Sequence, residues 1–194
     1  MRVADLLNWH HETALILGTG HSLTRERIEG TDCDHIVAIG EAYRLCPDAD
    51  VFYRNVSGYR NVSDYFALRP DLLALPGLKV FPDYPDRPAL RPKKPPPAGT
   101  IGIEGLPFTG PDGSLVIHMC VAAGAARILL LGYDGRCDPQ GRWNFWDAPG
   151  TYWPPREEAW EEEYAAARAA AEAAGCTIEN RSPGSNIKAF ALKP

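Results

Sequence analysis

Short, continuous apolar runs alternating with helical stretches constrain this chain more than any other feature. "TALILG" (13–18), "DHIVAIG" (34–40), "ADVFYRN" (49–55) and "RILLLGYD" (127–134) are too short for buried helices. They are also too uniformly apolar for strands with one wet face. Such runs suit strands covered on both sides, as in a parallel sheet. "LKVFPD" (78–83) and "CTIEN" (176–180) read as two further strands. Thr24 followed by "RERIEG" reads as a short capped helix closed by Gly30. "GSLVIHMCVAAGA" (113–125) reads as a buried helix whose small residues allow close packing on a sheet. "PREEAWEEEYAAARAAAEAAG" (155–175) has Pro155 in its first turn, acids in its N-terminal half and Gly175 at its end, the signature of a long helix. The alternation predicts an α/β fold, a three-layer sandwich with helices on both faces of a mainly parallel sheet.

The 194 residues suit one domain over 1–194. Seven prolines, at 82, 85, 88, 92, 95, 96 and 97, forbid helix or central strand across 82–100, so a long loop or lid is expected there. A second long loop, rich in aromatic residues, is expected at 135–155. A net charge of -5 argues against a nucleic-acid partner, because phosphate contacts need clustered Lys and Arg. No apolar run is long enough to span a membrane, and "MRVADLLNWHHE" lacks the apolar region of a signal peptide. A cytoplasmic protein is therefore expected, with its five cysteines as free thiols. An oligomer is compatible with the sequence.

In such a sheet, ligands bind at the carboxyl ends of the strands. Four polar clusters follow strands. The first, Gly18-Thr19-Gly20-His21-Ser22, lacks the third glycine of a dinucleotide fingerprint, since position 23 is Leu23, and lacks the P-loop ending. As a glycine turn between strand and helix it could hold a phosphate on backbone N–H groups, or serve only as a tight turn with Ser22 as a cap. The second is Asn55-Val56-Ser57, placed to read a base or sugar, or simply to turn. The third is Gly132-Tyr133-Asp134-Gly135-Arg136, whose carboxylate could bond a ribose or substrate hydroxyl, orient a base, hold a metal, act as a base, or simply sit in a turn before glycine. The fourth, "NRSPGSNIKAF", brackets Pro183-Gly184 with Ser182 and Ser185. Asp138 and Asp147 lie near Asp134 in sequence, but without the spacing of a metal site. Trp143, Phe145, Trp146, Tyr152 and Trp153 fall within fourteen residues of loop. They suit stacking on a base or sugar, a partner interface, or a satellite core.

Several of these segments together carry a resemblance. "LILGTGHSL" resembles the G-N-G-P-S-L opening of Campylobacter-type bacterial sialyltransferases and of the MptE-like proteins related to 6-hydroxymethylpterin diphosphokinase. "HMCVAAGAARILLLGYD" resembles their helix followed by G-x-x-x-I-x-L-x-G-x-D. "NRSPGSNIKAF" is similar to their terminal C-P-x-S-x-L-x-x-F, and "FYRN" to the F-Y-N of the sialyltransferases. Small phage and prophage proteins share the same frame. The resemblance implies a Rossmann-like sheet that binds a nucleotide near Gly18, Gly20, Ser22, Asn55 and Ser185. It implies a CMP-sugar and no metal if the chain follows the sialyltransferases, and ATP with Mg²⁺ if it follows the pterin enzymes. Thr19 and His21 stand where the family has Asn and Pro, and Gly40 where the sialyltransferases have an asparagine. Their catalytic histidine lies after the G-x-D strand, whereas residues 135–180 contain none.

The expectation is thus a transferase acting on a nucleotide or nucleotide-sugar, glycosyltransferase-like. Gly18, Thr19, Gly20, Ser22, Asn55, Ser57, Gly132, Ser182 and Ser185 are expected near the nucleotide. His21, Asp134 or Asp147 is expected to handle the proton. The alternatives are a Mg²⁺-dependent diphosphotransferase and a non-catalytic nucleotide-binding or interaction protein.

Overall fold

The computed structural model describes residues 1–55, 69–83, 97–107, 110–148 and 157–193. Its elements are α1 (Val3–Leu6), β1 (Thr13–Leu17), α2 (Arg25–Glu29), β2 (His35–Ile39), a 3-10 turn (Gly40–Arg44), β3 (Val51–Tyr53), α3 (Pro70–Leu73), β4 (Leu78–Pro82), β5 (Thr100–Ile103), α4 (Asp112–Ala122), β6 (Arg127–Leu131), α5 (Glu157–Ala173) and β7 (Thr177–Asn180). The strands form one seven-stranded sheet in the order β5-β4-β3-β2-β1-β6-β7. Every pairing is parallel, with Leu17 opposite Ala38 on one side and Leu131 on the other. The expected α/β sandwich is therefore what the chain builds.

The apolar runs are continuous because both faces of the sheet are covered. Ala14, Ile16, Val37, Ile39, Ile128 and Leu130 face α4 and α5 in one core. Leu15, Leu17, Ala38, Leu129 and Leu131 face α2, the 3-10 turn and α3 in a second. On α5, Tyr164, Ala167 and Ala171 share one helical stripe, and all three are buried. Leu130 is fully buried, and truncating it to alanine would cost about 2–5 kcal/mol.

The boundaries differ from the sequence-based ones for local reasons. β6 stops at Leu131 rather than at Asp134 because Gly132 adopts φ +71 and turns the chain. α4 ends at Ala122, and Gly124 then takes φ +90 with the His10 ring where a Cβ would stand. Edge strand β5 was not expected: "TIGI" is four residues with a glycine, directly after the prolines. Of the expected lid at 82–100, residues 84–96 lie outside the described residues, as do 149–155 of the aromatic loop. Among the described residues, no helix is long and apolar enough to cross a membrane. None of the five cysteines is in a disulfide.

Strand order runs outward in opposite directions from β1 and β6. Between their carboxyl ends is the switch point where an open parallel sheet leaves a crevice.

Candidate functional site

A cleft of about 380 Å³ opens at that switch point. Its wall takes Gly18, Thr19 and Gly20 from the end of β1, Arg54 from beyond β3, and Gly132 to Arg136 from beyond β6. The first turn of α4 adds Asp112 and Gly113, and Trp143, Asn144, Trp146, Trp160 and Tyr164 also line it.

The two glycines after β1 are required first by the protein's own backbone. Gly18 donates its N–H to Leu131 O at 2.7 Å, and Gly20 donates to Gly132 O at 2.8 Å. A Cβ on Gly18 would stand 2.6 Å from Gly132 O. A Cβ on Gly20 would stand 2.6 Å from the same oxygen and 2.7 Å from Asp134 Cγ. Neither glycine has a positive φ, so the requirement is space and not backbone conformation. The turn is thus zipped to the end of β6.

Asp134 is the second fastener, not an open carboxylate. Only 2 % of it is exposed. Ser22 donates its N–H to Asp134 Oδ2 at 2.8 Å and its hydroxyl to Oδ1. His21 Nδ1 lies 3.1 Å from the same Oδ2. That is near enough for attraction in the imidazolium form but not aligned for a hydrogen bond. His21 and Ser22, expected at the ligand, do not line the cleft.

The C-terminal turn is a third fastener. Tyr133 donates its N–H to the fully buried Ser182 Oγ at 2.8 Å. Ser185 donates its hydroxyl to Tyr133 O at 2.6 Å, and Asn180 donates from Nδ2 to Ser185 Oγ at 3.0 Å. Both serines spend their hydroxyls on the chain's own backbone, and neither lines the cleft. Asp147 closes a loop: it accepts N–H groups from Trp143 at 3.1 Å and Asn144 at 2.8 Å, and it too lies off the cleft wall. That loop docks on the first motif, through Phe145 N–H to Thr19 O at 3.1 Å and a bridge between Gly20 and Asn144. Docking brings Trp143 and Trp146 onto the cleft wall, while Phe145 packs on the second core. Trp143 meets Trp160 edge-on at 5.4 Å. Ser57, Tyr152 and Trp153 lie outside the described residues.

The cleft wall also carries Asp112 and Arg54, which the sequence reading did not single out. Asp112, in the first turn of α4, lies on the wall. Its carboxyl accepts hydrogen bonds from the main chain and the side chain of Asn55, and Arg54 is beside it. Enclosure by protein atoms pushes that carboxyl up to about 6 against the pull of Arg54 and Asn55. Asn55 thus belongs to the site through Asp112. Gly40, at φ +54, leaves room for Arg54, whose Nη1 would be 2.9 Å from a Cβ there. Arg136, exposed at the rim, makes no ion pair with any described residue. Tyr133 and Tyr164 form the apolar floor; burial pushes both hydroxyls above the usual tyrosine range. Tyr133 donates its hydroxyl to Gly113 O at 3.1 Å. The pattern "GPDGS" before the buried helix was a legible signal for Asp112: an acid in a helix's first turn, at the end of the sheet where ligands bind.

Among the described residues, no three His, Cys, Asp or Glu side chains converge as metal ligands. The described side chains therefore do not fit a dedicated Mg²⁺ cage.

No protein-family model matches the chain, and no curated protein matches it. Among solved structures, the sialyltransferase CstII from Campylobacter jejuni, determined with the substrate analogue cytidine-5'-monophosphate, superposes with a TM-score of 0.60. Sequence identity is 12 %, and the match covers 95 % of this chain and 86 % of that one. The likeness is one of fold.

Proposed function

We propose that this chain is a glycosyltransferase-like enzyme that takes a nucleotide-sugar into the switch-point cleft and transfers its sugar to an acceptor hydroxyl. The observation that carries the reading is the cleft itself: two arginines and a ring of aromatic side chains around about 380 Å³ at the topological switch point. Arg54 and Arg136 supply fixed positive charge for a phosphate, and the charge that builds on it as the sugar departs is what they would stabilise. Trp143, Trp146 and Trp160 offer faces for a base or a sugar ring. Gly18, Thr19, Gly20 and Gly132 form part of the wall against which the ligand would lie. Ser22, Ser182 and Ser185 act at one remove, by holding that backbone in place. The fold shared with an enzyme solved with a cytidine nucleotide supports the same reading.

Titration calorimetry with CMP, UDP, GDP and ATP tests it. At least one should bind, and Arg54→Ala should weaken that one by about 10- to 100-fold, the range for a lost charge-assisted phosphate contact. Folded protein that binds none of the four refutes the nucleotide reading.

A second reading, a binding protein that performs no reaction, is favoured by one observation. Of the groups expected to handle the proton, Asp134 is on the wall but has both carboxylate oxygens engaged by Ser22, and His21 and Asp147 do not line the cleft. A nucleotide-sugar bound and recovered intact would support it.

A further inference from the structure

Transfer of a sugar to a hydroxyl releases a proton, and some group in the cleft must receive it. The titratable side chains on the described cleft wall are Arg54, Asp112, Tyr133, Asp134, Arg136 and Tyr164. Arginines keep their protons at any working pH. The tyrosine hydroxyls are raised by burial and keep theirs. Asp134 has both oxygens engaged by Ser22 and almost no exposed surface. No histidine is on that wall.

We propose that Asp112 is the catalytic base, receiving the proton of the acceptor hydroxyl within the cleft. The inference rests on the transferase reading above. In the step, the acceptor oxygen bonds to the sugar's anomeric carbon. The bond from that carbon to the phosphate oxygen breaks, and its electron pair leaves with the nucleotide. The acceptor's proton passes to a carboxylate oxygen of Asp112. Asn55 donates two hydrogen bonds to that carboxylate and holds it in one orientation. The charged and titratable groups around it are Arg54 from the end of β3, Tyr133 from the end of β6, and Tyr164 from α5, with Glu163 against nearby Gly110. A carboxyl raised to about 6 is mostly ionised at neutral pH, yet more basic than an ordinary aspartate. Its place in the first turn of α4 sets it against the cleft rather than in the core.

The experiment uses the full chain, the Asp112→Asn and Asp112→Glu variants, and a panel of CMP-, UDP- and GDP-sugars. Nucleotide binding is read by calorimetry and nucleotide release is followed from pH 5 to 9. Asp112→Asn should bind the nucleotide within about threefold of wild type and turn over about 100-fold slower or worse, as expected when a general base is removed. Wild-type kcat should fall with acid below about pH 6, and that limb should be absent in Asp112→Asn. Asp112→Glu should recover part of the rate. A circular-dichroism melt checks that each variant is folded. Asp112→Asn turnover within fivefold of wild type, with the acid limb intact, overturns the inference and leaves the transferase reading standing. Nucleotide bound but never released from any sugar by wild type overturns both the inference and the transferase reading, leaving the cleft as a binding site. No nucleotide bound at all overturns the nucleotide reading and the inference with it.

Discussion

Replacing Gly20 with alanine tests the zipped construction of the cleft. The new Cβ would stand 2.6 Å from Gly132 O and 2.7 Å from Asp134 Cγ, with Asp134 Oδ2 nearer still. Two of these neighbours belong to a carboxylate held by Ser22, and the third is backbone paired to Gly20 itself. None is the free end of a flexible side chain, so relief requires parting β1 from β6. Overpacking of this kind costs about 1–3 kcal/mol. Moving Asp134 also strains hydrogen bonds to a buried charge, worth about 1.5–3 kcal/mol each. The expected loss is about 3–5 kcal/mol. For a chain of this size that lowers Tm by roughly 6–20 °C. Gly175→Ala is the matched control: φ there is +71 and nothing lies within 4 Å of the added Cβ, so only backbone strain is added. Strain of that kind costs about 1–2 kcal/mol. Urea unfolding of both variants, read by fluorescence, gives the comparison. If Gly20→Ala loses no more than Gly175→Ala, the close backbone approach does not hold the site together and the reasoning fails.

Ser182→Ala leaves the buried Tyr133 N–H without its acceptor and should cost about 1–3 kcal/mol in urea unfolding, with m unchanged. Glu179 is held down at about 2, chiefly by its hydrogen bond from Arg127, against an ordinary 4.5. Its contribution is therefore complete above about pH 4.5 and lost as pH falls toward 2; discounted for the solvent around Arg127 and Lys193 it is about 1 kcal/mol, and Glu179→Gln should flatten that part of the stability–pH curve. Asp112 has the opposite sign: a carboxyl raised from 3.8 to about 6 destabilises the fold increasingly between those values and fully above them. Asp112→Asn should accordingly gain about 1–3 kcal/mol over wild type at pH 8 and nothing at pH 3.5, in paired thermal melts.

Six of the seven strands are legible in the sequence because their cause is local. A strand covered on both faces must be apolar at every position, and "TALIL" and "RILLL" can be little else. That the polar turns after the strands gather at one end of the sheet was legible for the same reason, since parallel strands share a carboxyl edge; the switch point between β1 and β6 came from the strand order. Which side chains face that cleft was not. Asp134, Ser22, Ser182 and Ser185 have the composition of a binding site, and in the folded chain Asp134 bonds to Ser22, and the hydroxyls of Ser182 and Ser185 to the backbone of Tyr133, across gaps of 49 to 112 residues. Asp112, marked in the sequence only as an acid in a helix's first turn, sits at the wall because α4 packs that turn beside Asn55, which arrives from β3. Hydrogen-bond partners so distant in sequence are chosen by packing. One sequence lists the polar groups a site could use, and only the tertiary structure decides which of them the protein has already spent on itself.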